Sequence, residues 1–161
     1  MEIDGCGVEV PAGERAYLSR DLDCRGGDGE GLVMGHRSRL ELAGFGIVGG
    51  GGEGRQGVRC KSGTLCTVNG PGFIEGFSAS GIAGTRVRVR GVAIRGNGVA
   101  GIAAYGRVRL RDSVVADNSS MGILTGRGLH ALRSSVSQHP DGSVVKVPSA
   151  LPRRCRSMAG G

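Results

Sequence analysis

The sequence predicts an all-β fold: a right-handed, single-stranded parallel β-helix of five or six coils, with about 21 residues per coil. Three observations lead to this prediction: a repeat of 21 residues, alternation of apolar and polar residues inside each repeat, and an unusual composition. Glycine accounts for 33 of the 161 residues, tryptophan is absent, and only five residues are Phe or Tyr. Such a chain must fill its core with Val, Ile, Leu and Ala, and its glycines and asparagines disfavour helices.

The repeat is clearest between residues 87–107 and residues 108–128, and the block from residue 129 continues it. Towards the N-terminus the spacing slips to 20 residues in 72–82, and a glycine-rich loop interrupts the segment that begins at residue 38. A unit of this length cannot bury its apolar face alone, so the repeat predicts coils stacked on one another. The positions that match at a spacing of 21 are Val87 and Val108, Val89 and Leu110, Ile94 and Val115, Asn97 and Asn118, Gly101 and Gly122, and Ile102 and Ile123.

Each block contains short strands. In VRVR (87–90) and VRLR (108–111), apolar and basic residues alternate with a period of two, which is typical of strands that have one buried face. Parallel stacking about 4.8 Å apart would place valine on valine inside the coil and arginine on arginine outside it.

The pattern divides the chain into an N-terminal cap segment (1–13), a β-helix domain (14–147) and a basic tail (148–161) that we expect to be disordered. No apolar stretch is long enough to span a membrane, so we expect no membrane span. The first residues, MEIDGCG, do not form a signal peptide, and any export signal would have been removed or never existed.

These blocks resemble the parallel β-helix repeats of the pectate-lyase-like superfamily. The N-terminal half, with DLDC at 21–24, GLVMG at 31–35, LELAGFGIVGGG at 40–51 and GFIEGFSASGI at 72–82, also resembles a bacterial group of predicted secreted β-helix proteins. The resemblance covers roughly residues 14–147. It implies the fold, and it implies carbohydrate binding or carbohydrate chemistry only broadly, because the superfamily contains lyases, hydrolases, epimerases and adhesins.

Stacked arginines are the main functional feature of the sequence. Residues 1–84 carry 8 basic and 11 acidic side chains, whereas residues 85–161 carry 13 basic and 3 acidic ones, so the positive charge lies in the second half. Like charges about 5 Å apart repel, and Arg grips carboxylates, sulfates and phosphates in a bidentate manner. The columns therefore predict a strip that binds a polyanion, for example a uronate-containing glycan, or alternatively a merely solvated face. The predicted ligand-binding residues are Arg86, Arg88, Arg90, Arg107, Arg109 and Arg111.

Candidate catalytic groups are few. Arg109, Asp112 and His130 could form an acid–base group beside the arginine columns. The resemblance implies that lyases of this type need carboxylates for Ca²⁺ and that hydrolases need grouped aspartates. No second carboxylate stacks on Asp112, so we expect no metal ion and no cofactor. Ca²⁺ is expected only if the protein is a lyase.

The polar column of Asn97, Asn118 and His139 predicts a structural ladder of stacked side chains, and less readily a row that contacts a ligand.

The cysteines predict two disulfides, Cys6 with Cys24 and Cys60 with Cys66, and Cys155 has no partner in this prediction. Two bridges are typical of an exported protein, although five reduced cysteines stay an alternative.

Taken together, the sequence predicts a small secreted, periplasmic or cell-surface module that binds an acidic polysaccharide or other polyanion without catalysis. Nucleic acid is not the expected partner, and the oligomeric state is left open. The alternative is a carbohydrate-active enzyme, namely a polysaccharide lyase, a hydrolase or a uronate epimerase, or a fragment of such an enzyme.

Overall fold

The computed structural model describes residues 1–26, 30–50, 52, 55–137 and 140–146. These residues form 18 strands, numbered β1 to β18 along the chain, and no helix. The strands stack in parallel as a solenoid of about six coils, with about 21 residues between equivalent positions in the regular part, which confirms the predicted β-helix.

Each coil has three faces. Face 1 consists of β1 (Glu2–Ile3), β3 (Arg15–Leu18), β6 (Arg39–Glu41), the first halves of β9 (Leu65–Glu75) and β11 (Arg86–Arg95), β13 (Arg107–Arg111) and β16 (Gly128–Leu132). Face 2 consists of β4 (Leu22–Asp23), β7 (Gly46–Val48), the second halves of β9 and β11, β14 (Val114–Ala116) and β17 (Ser135–Ser137). Face 3 consists of β2 (Val8–Val10), β5 (Leu32–Met34), β8 (Val58–Cys60), β10 (Ser80–Gly84), β12 (Ala100–Ala104), β15 (Met121–Thr125) and β18 (Val144–Lys146).

The strand register follows the sequence repeat. Val87 pairs with Val108 on face 1, and Ile102 pairs with Ile123 on face 3, both at the predicted spacing of 21 residues. In the first half the spacing varies: Glu2 pairs with Tyr17 across a shorter interval, whereas Arg15 pairs with Arg39 and Arg39 with Thr67 across longer ones. The extra residues lie between faces 2 and 3, where loops can lengthen without disturbing the paired strands.

Glycines at equivalent positions of face 3 leave room for the side chains that fill the core. A Cβ at Gly101 would lie 2.5 Å from Cγ1 of Val115 and 2.8 Å from Nδ2 of Asn118. A Cβ at Gly81 would likewise lie 2.7 Å from Cγ2 of Ile94. Glycine at the start of these face 3 strands therefore leaves room for the apolar side chains and amides that enter the core from face 2.

The predicted asparagine ladder is buried. Asn118 Oδ1 accepts hydrogen bonds from the backbone N–H of Asn97 and from Asn97 Nδ2, both at 3.0 Å. Asn97 Oδ1 in turn accepts the backbone N–H of Phe77 at 3.1 Å. In these turns the residues with a left-handed backbone conformation are Gly96 and Asp117, which precede the asparagines. The asparagines therefore serve the turn through the hydrogen bonds of their side-chain amides. His139, the third predicted member, lies outside the described residues.

Two disulfides link the cysteine pairs that the sequence suggested. Cys6 and Cys24 join the first coils, and Cys60 and Cys66 join the end of face 3 to the start of face 1 inside the core.

The cap segment contributes β1 and β2, which pair with β3 and β5, so it stacks in register on the first coil. Cys155 and the predicted tail (148–161) lie outside the described residues, and the proposed domain boundaries stay a prediction.

Candidate functional site

The six predicted arginines form one exposed surface on the outer side of face 1, which we call the arginine strip: Arg86, Arg88 and Arg90 on β11, and Arg107, Arg109 and Arg111 on β13. All six are exposed, whereas the alternate residues of both strands are buried in the core. The strands thus place every second side chain in solvent, because the interior requires the apolar set.

The strip stacks as the repeat predicted. Arg88 pairs with Arg109 and Arg90 pairs with Arg111, about 4.8 Å apart across the strands. His130 on β16 extends the first of these columns, since it pairs with Arg109.

The same column reaches the N-terminal coils, which the sequence did not reveal. Thr67 pairs with Arg88, Arg39 pairs with Thr67, and Arg15 pairs with Arg39. Arg15 forms an ion pair of 3.2 Å with Glu41. Arg39 was missed because the spacing between coils is irregular in this part of the chain, although alternation in RAYL and RLEL could have indicated it.

Acidic partners are distributed unevenly around the strip. Arg111 Nε lies 3.6 Å from Asp112 Oδ2, and the other five strip arginines have no carboxylate within 4.0 Å among the described residues. Several arginines elsewhere are paired, as in Arg95 with Glu75 at 2.7 Å and Arg59 with Glu30 at 2.5 Å. The strip is therefore a surface of mutually repelling cations that an anion would neutralise.

Two grooves run over the strip along the direction of stacking. The first, of about 460 Å³, lies between the Arg88–Arg109–His130 column and the Arg90–Arg111–Leu132 column, and we call it the strip groove. The second, of about 580 Å³, lies where face 3 turns into face 1, and we call it the corner groove. Its lining includes Thr85, Tyr105 and five arginines, of which two also line the strip groove: Arg86, Arg88, Arg107, Arg109 and Arg127.

The predicted catalytic residues are only partly brought together. Arg109 and His130 line the strip groove side by side, but Asp112 does not line it. The Asp112 carboxylate instead accepts two hydrogen bonds from Arg133 of the next coil, at 2.5 Å and 3.0 Å. Both residues occupy left-handed turns, with φ of 49° and 47°, which directs their side chains along the stack.

This ion pair also lowers the pKa of the Asp112 carboxyl. The hydrogen bond from Arg133 is the largest cause, desolvation opposes it, and the charges of Arg133, Arg111 and Arg90 lower the pKa by smaller amounts. The Asp112 carboxylate is thus engaged with Arg133 and does not line the strip groove with Arg109 and His130. Asp112 and Arg133 thus form an ion pair that links two successive coils.

The described residues contain no group of three His, Cys, Asp or Glu side chains that could hold a metal ion. In the same part of the chain there is no helix that could cross a membrane.

Comparisons of the chain with protein-family models, curated proteins and solved structures found no match. The class of protein is consequently defined by the fold and the surface themselves. It is a parallel β-helix protein of about six coils whose outer face carries a basic strip.

Proposed function

We propose that this chain is a small exported β-helix module that binds an acidic polysaccharide or similar polyanion through the arginine strip, without catalysis. The observation that carries the proposal is the strip itself, where five of six stacked arginines have no carboxylate partner among the described residues. Unpaired guanidinium groups in fixed register offer bidentate contacts to a row of anionic groups.

The spacing of the strip suits a polymer with regularly spaced anionic groups. Successive coils present guanidinium groups about 4.8 Å apart, and successive outward residues of one strand lie about 6.6 Å apart. A polysaccharide with one charge per sugar ring offers such a row of anions.

The assignments to the pectate-lyase-like superfamily and to an exported location belong to this proposal. The coil length and the three-faced stack support the first, and the two disulfides support the second. The enzyme alternative is weakened by the position of Asp112, whose carboxylate binds Arg133 and does not line the strip groove with Arg109 and His130.

The test measures binding of polygalacturonate at low and high salt to the wild-type protein and to the double variant R88Q/R109Q. Each exposed charge pair contributes about 0.2–1 kcal/mol, so losing two arginines should weaken binding about tenfold at low salt. Binding should also fall with rising salt, because exposed charges are screened.

The matched control is R20Q/R95Q, which removes two arginines that line neither groove. Its affinity should stay within about twofold of wild type, since only long-range charge is lost. Equal losses in both variants, or no salt-dependent binding of any acidic glycan, would refute the proposed site. Cleavage or epimerisation of a bound glycan would establish the enzyme alternative instead.

A further inference from the structure

The corner groove contains a set of cations that the repeat alone does not reveal. Arg86, Arg107 and Arg127 come from three successive coils and line one groove of about 580 Å³. Arg127 lies in the turn before β16, where its backbone N–H donates to the Gly106 carbonyl at 3.1 Å, and its side chain is exposed. Arg127 was not among the predicted site residues.

The charge in this groove is uncompensated. No Asp or Glu lines it, and none of the three arginines has a carboxylate within 4.0 Å among the residues that the structure describes. Thr85 adds a hydroxyl group, whose oxygen accepts the backbone N–H of Gly63 at 2.8 Å and whose proton can therefore be donated outward.

The number of donors favours one class of anionic group. A carboxylate has two oxygens and one charge, and a single bidentate guanidinium already occupies both oxygens. A phosphate monoester presents three terminal oxygens and a charge of about −1.5 to −2, and a sulfate monoester presents three terminal oxygens as well. The guanidinium groups of Arg86, Arg107 and Arg127 lie in the lining together with those of Arg88 and Arg109, which the strip groove shares. With the Thr85 hydroxyl they offer more donors than one carboxylate can accept, which suits a group with three terminal oxygens.

We propose that the corner groove binds a sulfate or phosphate monoester carried by the polyanion, and that Arg127 completes this site. The inference rests on the proposed function, because the monoester belongs to the glycan that the strip binds. The remaining arginines of the strip, including Arg90, would contact the carboxylates or other charges along the same chain.

The experiment compares three oligosaccharides of equal length that carry carboxylate, sulfate or phosphate groups, titrated at low salt against wild type, R127Q, R90Q and R20Q. R127Q should weaken binding of the sulfated or the phosphorylated ligand about threefold and leave the carboxylated ligand unchanged. The ligand that loses more affinity identifies which monoester the groove prefers. R127K should recover part of the loss, because lysine restores the charge without the bidentate geometry.

The two proposals fail in different ways. If R90Q weakens binding of all three ligands while R127Q weakens none, or weakens all three equally, the corner site is refuted and the strip stands. If the wild-type protein binds none of them, both proposals are refuted. R20Q, which lies away from both grooves, should match wild type throughout, and far-UV circular dichroism should show that every variant retains the β-helix.

Discussion

The buried asparagine ladder offers the sharpest test of how the coils are held together. Replacing Asn118 with alanine removes the oxygen that accepts the backbone N–H of Asn97 and one of the Asn97 Nδ2 hydrogen bonds. The Asn97 amide group keeps weaker partners in the Arg95 and Ile74 carbonyls, at 3.1 Å and 3.5 Å, but its backbone N–H loses the acceptor. Asn97 and Asn118 are 0 % and 1 % exposed, so water cannot replace the lost acceptor without entering the core.

The expected loss of stability follows from these contacts. An orphaned buried donor costs about 1–3 kcal/mol, and a lost side-chain hydrogen bond about 1 kcal/mol more. Asn118→Ala should therefore lower the free energy of unfolding by about 3 kcal/mol. With an m-value of about 2 kcal/mol/M in urea, the unfolding midpoint should fall by about 1.5 M.

The assay is urea unfolding followed by far-UV circular dichroism, with Asn69→Ala as the matched control. Asn69 lies on the outer side of face 1 and donates to Glu41 Oε1 at 3.0 Å, where solvent can replace the bond. The control should change stability by less than about 0.5 kcal/mol. If Asn118→Ala shifts the midpoint no more than Asn69→Ala does, the ladder does not stabilise the stack and the reasoning is wrong.

Three further outcomes are expected. Gly101→Ala should lower stability by about 1–3 kcal/mol in the same urea assay, because its Cβ would lie 2.5 Å from a core methyl group, and a neutral result would show that face 2 can move aside. Replacing both Cys6 and Cys24 with alanine should cost about 3 kcal/mol, since the bridge closes a sequence separation of 18, and thermal unfolding should show that reductant destabilises the variant less than wild type, because only the Cys60–Cys66 bridge is left to reduce. An NMR titration should give Asp23 a pKa of about 2, lowered chiefly by the Arg25 hydrogen bond, and Arg25→Gln should return it towards 3.8, so an unchanged value would refute the pair.

The regular half of the chain was predictable in detail. From residue 87 onward the period of 21 gives the pairs that the structure contains, including Val87 with Val108 and Arg88 with Arg109. A parallel stack repeats the same side-chain environment at every coil, so equal spacing in sequence becomes vertical alignment in space.

The first half was predictable only in outline. The loops between faces 2 and 3 differ in length from coil to coil. The sequence alone does not show which residues of this half belong to a loop and which to a strand. For that reason Arg39 was not assigned to the column of Arg88 and Arg109, although the strands place it there through Thr67.

The candidate site was also predictable only in part. The alternation of VRVR and VRLR determined that the strip arginines point outward, because the core accepts only the apolar half of each strand. The period placed Arg133 one coil away from Asp112, 21 residues along the chain, but it could not determine that the two side chains form an ion pair. It also did not place Arg127 beside Arg86, because Arg127 lies in a turn where the alternation ends.

In the regular half of the chain, the sequence by itself thus determined which residues stack, since a fixed period and parallel pairing leave one register. The tertiary structure decided which of the stacked charges are neutralised. Ion pairing depends on turn geometry and on the reach of each side chain, and neither is encoded in the period. Arg133 and Arg109 are both exposed arginines in the sequence repeat, yet only the folded chain gives one of them a carboxylate and leaves the other facing an open groove.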